Sequence, residues 1–198
     1  VSVMTLPSVV FTSCRGRELE LGATLAAFHA AWPPAGPPAL VVVDSSARTP
    51  HPALAVAQIA ANFGRALRCA VDSGGGGPVL FLEDDIRFAP AFADRLAEAV
   101  ERQRAEPFAL RLYRGPGGIG RQGVVLSSGL VDYIERRWHG LDAAEEPRSD
   151  RRLFQLIAGA GAPCDVVPLV QHVGRVSTVE GATFHRDDAT EDLRDLDA

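Results

Sequence analysis

An uninterrupted apolar run, Val79-Leu80-Phe81-Leu82, leaves a stretch of glycines through Pro78 and ends directly on Glu83-Asp84-Asp85. Continuity of this kind, without in–out alternation, suits a strand covered on both faces. The acids at its end add a second constraint. Adjacent carboxylates repel one another, and a carboxylate drawn toward an interior shifts its pKa upward unless a cation keeps it ionised. Open α/β sheets bind ligands at the C-terminal ends of their strands. A triplet in that place points to a divalent metal, and oxygen donors favour Mg²⁺ or Mn²⁺. The alternative is a solvated acidic turn.

The flanking pattern agrees with a layered sheet. Residues 8–12 read as a first buried strand, followed by Leu21, Leu25, Phe28 and Trp32 at helical spacing until Pro33-Pro34. Residues 39–43 read as a second buried strand ending at Asp44. Ile59, Phe63 and Leu67 mark the next helix, closed by Ser73 and glycines. After the acidic strand, Pro90 fits the first turn of a helix with Phe92, Leu96 and Val100 on one face. Strands alternating with helices imply right-handed parallel crossovers. The predicted fold is therefore a single Rossmann-like α/β domain with a mainly parallel central sheet flanked by helices. This topology would bring Arg15, Arg17, Asp44 and the acidic triplet to one edge.

The second half is less regular. Residues 108–113 alternate partly, as a half-exposed strand would. A glycine-rich segment, 115–120, precedes a short apolar strand at 124–126. Leu130, Ile134 and Trp138 mark a helix, and a charged loop through Glu145 and Glu146 follows. Another helix begins near Ser149-Asp150 with Leu153, Leu156 and Ile157 inward. Residues 165–170 read as one late strand entering Gln171-His172-Val173-Gly174. The expected division is a catalytic domain over 1–183, with a nucleotide-binding half (1–105) and an acceptor half (106–183). An acidic tail, 184–198, follows.

Composition narrows the chemistry. The chain has 198 residues, 46% hydrophobic and 23% charged, as expected for one soluble domain with a sizeable core. A formal net charge of −5 gives the whole molecule no attraction to nucleic acid or anionic membrane. All 20 basic residues are arginine, which removes Schiff-base and P-loop lysine mechanisms. Cys14, Cys69 and Cys164 have no CxxC spacing, so thiols in a reducing compartment are expected rather than disulfides or a zinc site. No apolar run has the length of a membrane span, and no signal peptide pattern opens the chain, so a cytoplasmic location is expected.

Residues 82–86, the Ile119-Gly120 turn, and residues 168–174 occur in an order that resembles glycosyltransferases of the N-acetylglucosaminyltransferase IV type, which have the GT-A fold. The arginines after the first strand, Asp44 and Asn62-Phe63-Gly64 also resemble GT-A enzymes more broadly. The resemblance implies a metal-dependent, inverting glycosyltransferase that moves a sugar from a UDP-sugar to a hydroxyl acceptor. It implies Asp85 as a metal ligand, with Glu83 and Asp84 facing ribose or sugar hydroxyls. An aspartate at the start of the helix before Gln171-His172-Val173-Gly174 would be the base, which here is Asp150.

Read by their chemistry, any of the three acids could ligate. His172 suits Mn²⁺ as neutral imidazole in an apolar sequence context, although a lone histidine is commonly structural. Inverting transfer needs a carboxylate opposite the leaving group, while Ser149 or Asp150 would equally serve as a helix N-cap. Arg15 and Arg17 could grip phosphate or stack on a base. Asp44 could accept from ribose or uracil, and Arg65 could reach the same nucleotide. Asn62 is a weaker candidate, helical asparagines being often exposed. The acceptor is open among glycan, small molecule and modified DNA base. The rival readings are a sugar-nucleotide nucleotidyltransferase, a phospho-receiver domain, which the lack of a lysine disfavours, and an inactive nucleotide-sugar binding module.

Overall fold

Neighbouring residues in the inner strands of this protein face opposite ways, and both directions lead into hydrocarbon. The computed structural model describes residues 6–32, 39–44, 52–73, 76–114, 122–139 and 148–173. One core takes Val9, Phe11, Leu80, Leu82, Leu110 and Val125, with Phe28 and Trp32 or Phe92 and Leu96 from two helices. The other takes Val10, Phe81, Ala109, Val124 and Leu126, with Phe63, Leu67, Ile134, Trp138 and Leu153 from three more. This double burial is why the apolar runs are continuous.

Six strands form the main sheet: β1 (Ser8–Cys14), β2 (Ala39–Asp44), β3 (Val79–Glu83), β5 (Ala109–Arg111), β6 (Gly123–Leu126) and β7 (Cys164–Val166). Their order is β2-β1-β3-β6-β5-β7, and β6 runs against the other five. Helices α1 (Glu18–Ala31) and α3 (Phe92–Glu101) cover the first face. Helices α2 (Pro52–Asp72), α4 (Ser128–Trp138) and α5 (Ser149–Gly159) cover the second. The layered, mostly parallel α/β architecture is the one the periodicity implies. The sheet also joins the two halves of the chain, because β3 pairs with β6.

A second, two-stranded sheet pairs β4 (Ile86–Phe88) antiparallel with β8 (Val170–His172). Here the structure departs from the sequence reading. Residues 165–170 are not one strand: β7 ends at Val166, and the chain passes Pro168 before β8 joins a different sheet. Proline lacks the N–H that a continuous ladder would use. Leu169 and Val170 instead donate to the Leu112 carbonyl at 2.8 and 2.9 Å. Gly123 leaves room for this crossing, since a Cβ there would lie 3.0 Å from Val170 Cγ2.

Other expectations shift with position in the sheet. β2 is an edge strand, with Leu40 and Val41 39% and 40% exposed rather than buried. β5, expected to be half-exposed, is an inner strand with Ala109 and Leu110 fully buried. Pro90 lies just before the Ala91 N-cap of α3, outside the first turn. Segments 115–120 and 184–198, with Glu145 and Glu146, lie outside the described residues.

The second core depends on a close helix approach. Trp138 is buried, donates Nε1–H to the Ala60 carbonyl at 3.0 Å, and packs on Phe63. A Cβ at Gly64 would lie 2.7 Å from Trp138 Cδ1, and the indole is held too firmly to yield. Gly64→Ala should therefore destabilise by about 1–3 kcal/mol, despite alanine's better helix propensity. Thermal unfolding should show this as a Tm loss of about 2–12 °C. An unchanged or raised Tm would mean that α2 and α4 separate at little cost.

Candidate functional site

β1 and β3 run parallel with Thr12 level with Glu83, so the turn after β1 and the acids after β3 emerge side by side. Arg17 comes from that first turn. Its backbone N–H donates to the Cys14 carbonyl at 3.2 Å, and its own carbonyl accepts from Leu21 as the N-cap of α1. The guanidinium then turns inward. Nε donates to Asp84 Oδ2 at 2.9 Å, Nη2 lies 2.8 Å from Asp84 Oδ1, and Nη2 also pairs closely with Asp85 Oδ2. All three residues are buried, with Arg17 8%, Asp84 5% and Asp85 6% exposed.

His172 reaches the same group from the far end of the chain. The β4–β8 ladder sets Ile86 opposite His172, and the Val173 amide donates to the Asp85 carbonyl at 2.8 Å. This pairing puts His172 Nε2 at 3.1 Å from Asp85 Oδ2. Tyr113 meets the imidazole edge-on with 6.4 Å between ring centroids. Among the described residues, Glu83, Asp85 and His172 each offer a donor atom, all within 4.8 Å of one another. Asp85 Oδ1 is buried without a hydrogen-bond partner. An orphaned carboxylate oxygen beside a second carboxylate and an imidazole is a donor set that fits Mn²⁺ or Mg²⁺.

The charges are mutually dependent. Burial works against the Arg17 charge, but Asp85 and Asp84 outweigh it and raise its pKa. Burial also pushes Asp85 up, yet the His172 hydrogen bond and charge, with Arg17, hold it below the usual carboxylate range. His172 is raised, because Asp85, with Glu83 behind it, overcomes the opposing effect of burial. At Asp84 burial wins, and Arg17 and Ser13 only partly offset the rise.

Three supporting residues carried weak or no signal in the sequence. Ser13 Oγ donates to Asp84 Oδ2 at 2.6 Å. Thr24, buried on α1 in line with Phe28, donates to the Asp84 carbonyl at 2.8 Å and accepts from the Ile86 amide at 3.3 Å. A hydroxyl one helical turn before Phe28 was the one available clue. Asn62 is buried rather than exposed, and its Nδ2 donates to the Ser13 carbonyl at 2.8 Å, tying α2 to the end of β1.

The remaining candidates stand outside this ring. Arg15 is exposed in the turn after β1. Arg65 is exposed on α2, and its Nη2 donates to Asn62 Oδ1 at 3.3 Å. Asp44 ends β2 level with Cys14, but its side chain lies outside the described residues. Asp150 is in the first turn of α5, where Oδ1 accepts from the Arg151 amide at 2.9 Å and lies 3.6 Å from Arg148 Nε. The N-cap is Arg148, so neither Ser149 nor Asp150 caps this helix.

No family model matches the chain, and no curated protein matches its sequence. Among solved structures, it is similar to a glycosyltransferase involved in the glycosylation of the major capsid of PBCV-1. That likeness has a TM-score of 0.60 at 10% identity and covers 88% of this chain and 96% of the other. The fold is glycosyltransferase-like. A further match is A197 from STIV, with a TM-score of 0.49 at 9% identity, covering 91% of this chain and 95% of that one. In such a fold the Arg17–Asp84–Asp85–His172 ring occupies the C-terminal strand edge, the usual ligand crevice of open α/β sheets. Among the described residues no helix is long and apolar enough to cross a membrane.

Proposed function

We propose that this protein is a metal-dependent glycosyltransferase that takes a UDP-sugar donor and transfers its sugar, with inversion, to a hydroxyl acceptor. The observation that carries the reading is the convergence of Glu83, Asp85 and His172, with Asp85 Oδ1 buried and unpartnered, at the ligand-binding edge. The glycosyltransferase-like fold supports it. The resemblance of residues 82–86 and 168–174 to the N-acetylglucosaminyltransferase IV type supports a hexose donor, with N-acetylglucosamine the first to try.

Asp85 and His172 would hold Mn²⁺ or Mg²⁺, with Glu83 as a further oxygen donor. Bound there, the ion would supply Lewis-acid neutralisation of charge on the leaving diphosphate. The protein's own groups do the rest. Arg17, Ser13 and Thr24 keep the acidic turn in one conformation, so the donor meets a preformed site. Asp44 and Arg65 bind the nucleoside, and Arg15 binds phosphate. Asp150, half-buried in the first turn of α5, takes the acceptor hydroxyl's proton as the new glycosidic bond forms.

A product assay tests this directly. Incubated with Mn²⁺ and a panel of UDP-sugars, the protein should release UDP slowly through donor hydrolysis, and faster once a suitable acceptor is present. Pyrophosphate as product would identify a nucleotidyltransferase instead. Tight UDP-sugar binding with no cleavage would identify an inactive binding module.

A further inference from the structure

The charge that meets the acids in this structure is Arg17, which the transfer chemistry does not require in that place. Its planar fork engages both oxygens of Asp84 and reaches on to Asp85 Oδ2, a geometry that guanidinium provides and ammonium does not. The arginine is fixed at both ends. Its backbone is the N-cap of α1, and at the other end the Asp84 carboxylate accepts from Ser13 Oγ while the Asp84 backbone carbonyl accepts from Thr24 Oγ1. Two adjacent buried carboxylates without such a partner would be strongly unfavourable. Yet Arg17 and His172 both engage Oδ2 of Asp85 and leave Oδ1 unpartnered.

We infer that Arg17 is the resident counter-ion of the site, holding Asp84 and Asp85 assembled before any divalent ion arrives and lowering the site's affinity for that ion. The inference rests on the reading of Asp85 and His172 as a divalent-ion site. A dication on Asp85 would stand within a few ångströms of the guanidinium, so repulsion weakens its binding by roughly tenfold or more. In return, the acids need no metal to fold. Arg17 is a positioning residue in this account: it acts through Asp84 and Asp85 and sets how tightly the divalent ion is held.

The test compares thermal unfolding and Mn²⁺ binding by calorimetry for the wild type, Arg17→Met and Arg17→Lys, in EDTA and in Mn²⁺. The wild type should be folded in EDTA. Arg17→Met should lose roughly 6–20 °C of Tm there, regain much of it in Mn²⁺, and bind Mn²⁺ roughly tenfold more tightly than the wild type. Arg17→Lys, which keeps the charge but loses the fork, should fall between them in EDTA and bind Mn²⁺ about as the wild type does. If Arg17→Met folds under neither condition, Arg17→Met with Asp84→Asn removes one uncompensated charge. That double variant should fold and still bind Mn²⁺ more tightly than the wild type.

Wild-type Mn²⁺ binding with an Arg17→Met defect that Mn²⁺ does not relieve would overturn the inference while leaving the metal site intact. Equal or weaker Mn²⁺ binding by a folded variant would do the same. Absence of Mn²⁺ binding to the wild type and to both variants would remove the divalent-ion reading, and this inference with it.

Discussion

Asp85→Asn is expected to reduce Mn²⁺-dependent cleavage of a UDP-sugar by about a hundredfold or more, because the ligand charge disappears while the side-chain shape remains. The variant should still fold. Asp84 keeps its two contacts with Arg17, and the Asp85 carbonyl keeps the Val173 amide. The contacts of the Asp85 side chain with Arg17 and His172 lose their charge but keep an oxygen acceptor in a partly compensated cluster, which costs about 1–3 kcal/mol, or about 2–12 °C in Tm. Steady-state turnover, unfolding and Mn²⁺ binding should be measured on the same preparation. Wild-type turnover in the folded variant would reject Asp85 as a metal ligand.

Asp150→Asn should lower kcat for transfer by about 10²–10⁴-fold while leaving UDP binding unchanged. Position separates this role from a structural one. Asp150 is in the first turn of α5, where a negative charge is favourable but worth only about 0.3–1 kcal/mol. A variant folded to within a few degrees of the wild type, with donor affinity intact and transfer lost, would identify the base. Unchanged transfer would exclude Asp150. The two variants differ in kind: Asp85→Asn should also impair donor hydrolysis without acceptor, whereas Asp150→Asn should affect transfer to an acceptor hydroxyl.

Much of the architecture can be read from the chain, because burial on both faces of a strand and on one face of a helix leaves a local periodic trace. The runs at 8–12 and 79–82, and the helical spacing through Phe63, Ile134 and Leu153, are of that kind. The acids at the end of the central strand, and Arg17 after the first, were legible for the same reason. Parallel crossovers carry the residues following β1 and β3 to the same edge.

Tertiary structure decided the rest. Whether residues 39–43 form an inner or an edge strand depends on what pairs beside them, and their composition is silent on that. The break between β7 and β8 depends on Leu112 offering its carbonyl across the fold. His172 reaches Asp85 only because β8 pairs with β4 in one register, and sliding by a single residue would turn the imidazole to the other face. Arg17 could be assigned to an edge but not to a partner, since its contacts with Asp84 and Asp85 depend on its burial where the turn after β1 meets the end of β3. Periodicity records which side of an element is dry. Which charges then face one another is set by long-range pairing, and pairing between distant segments writes no pattern into either one alone.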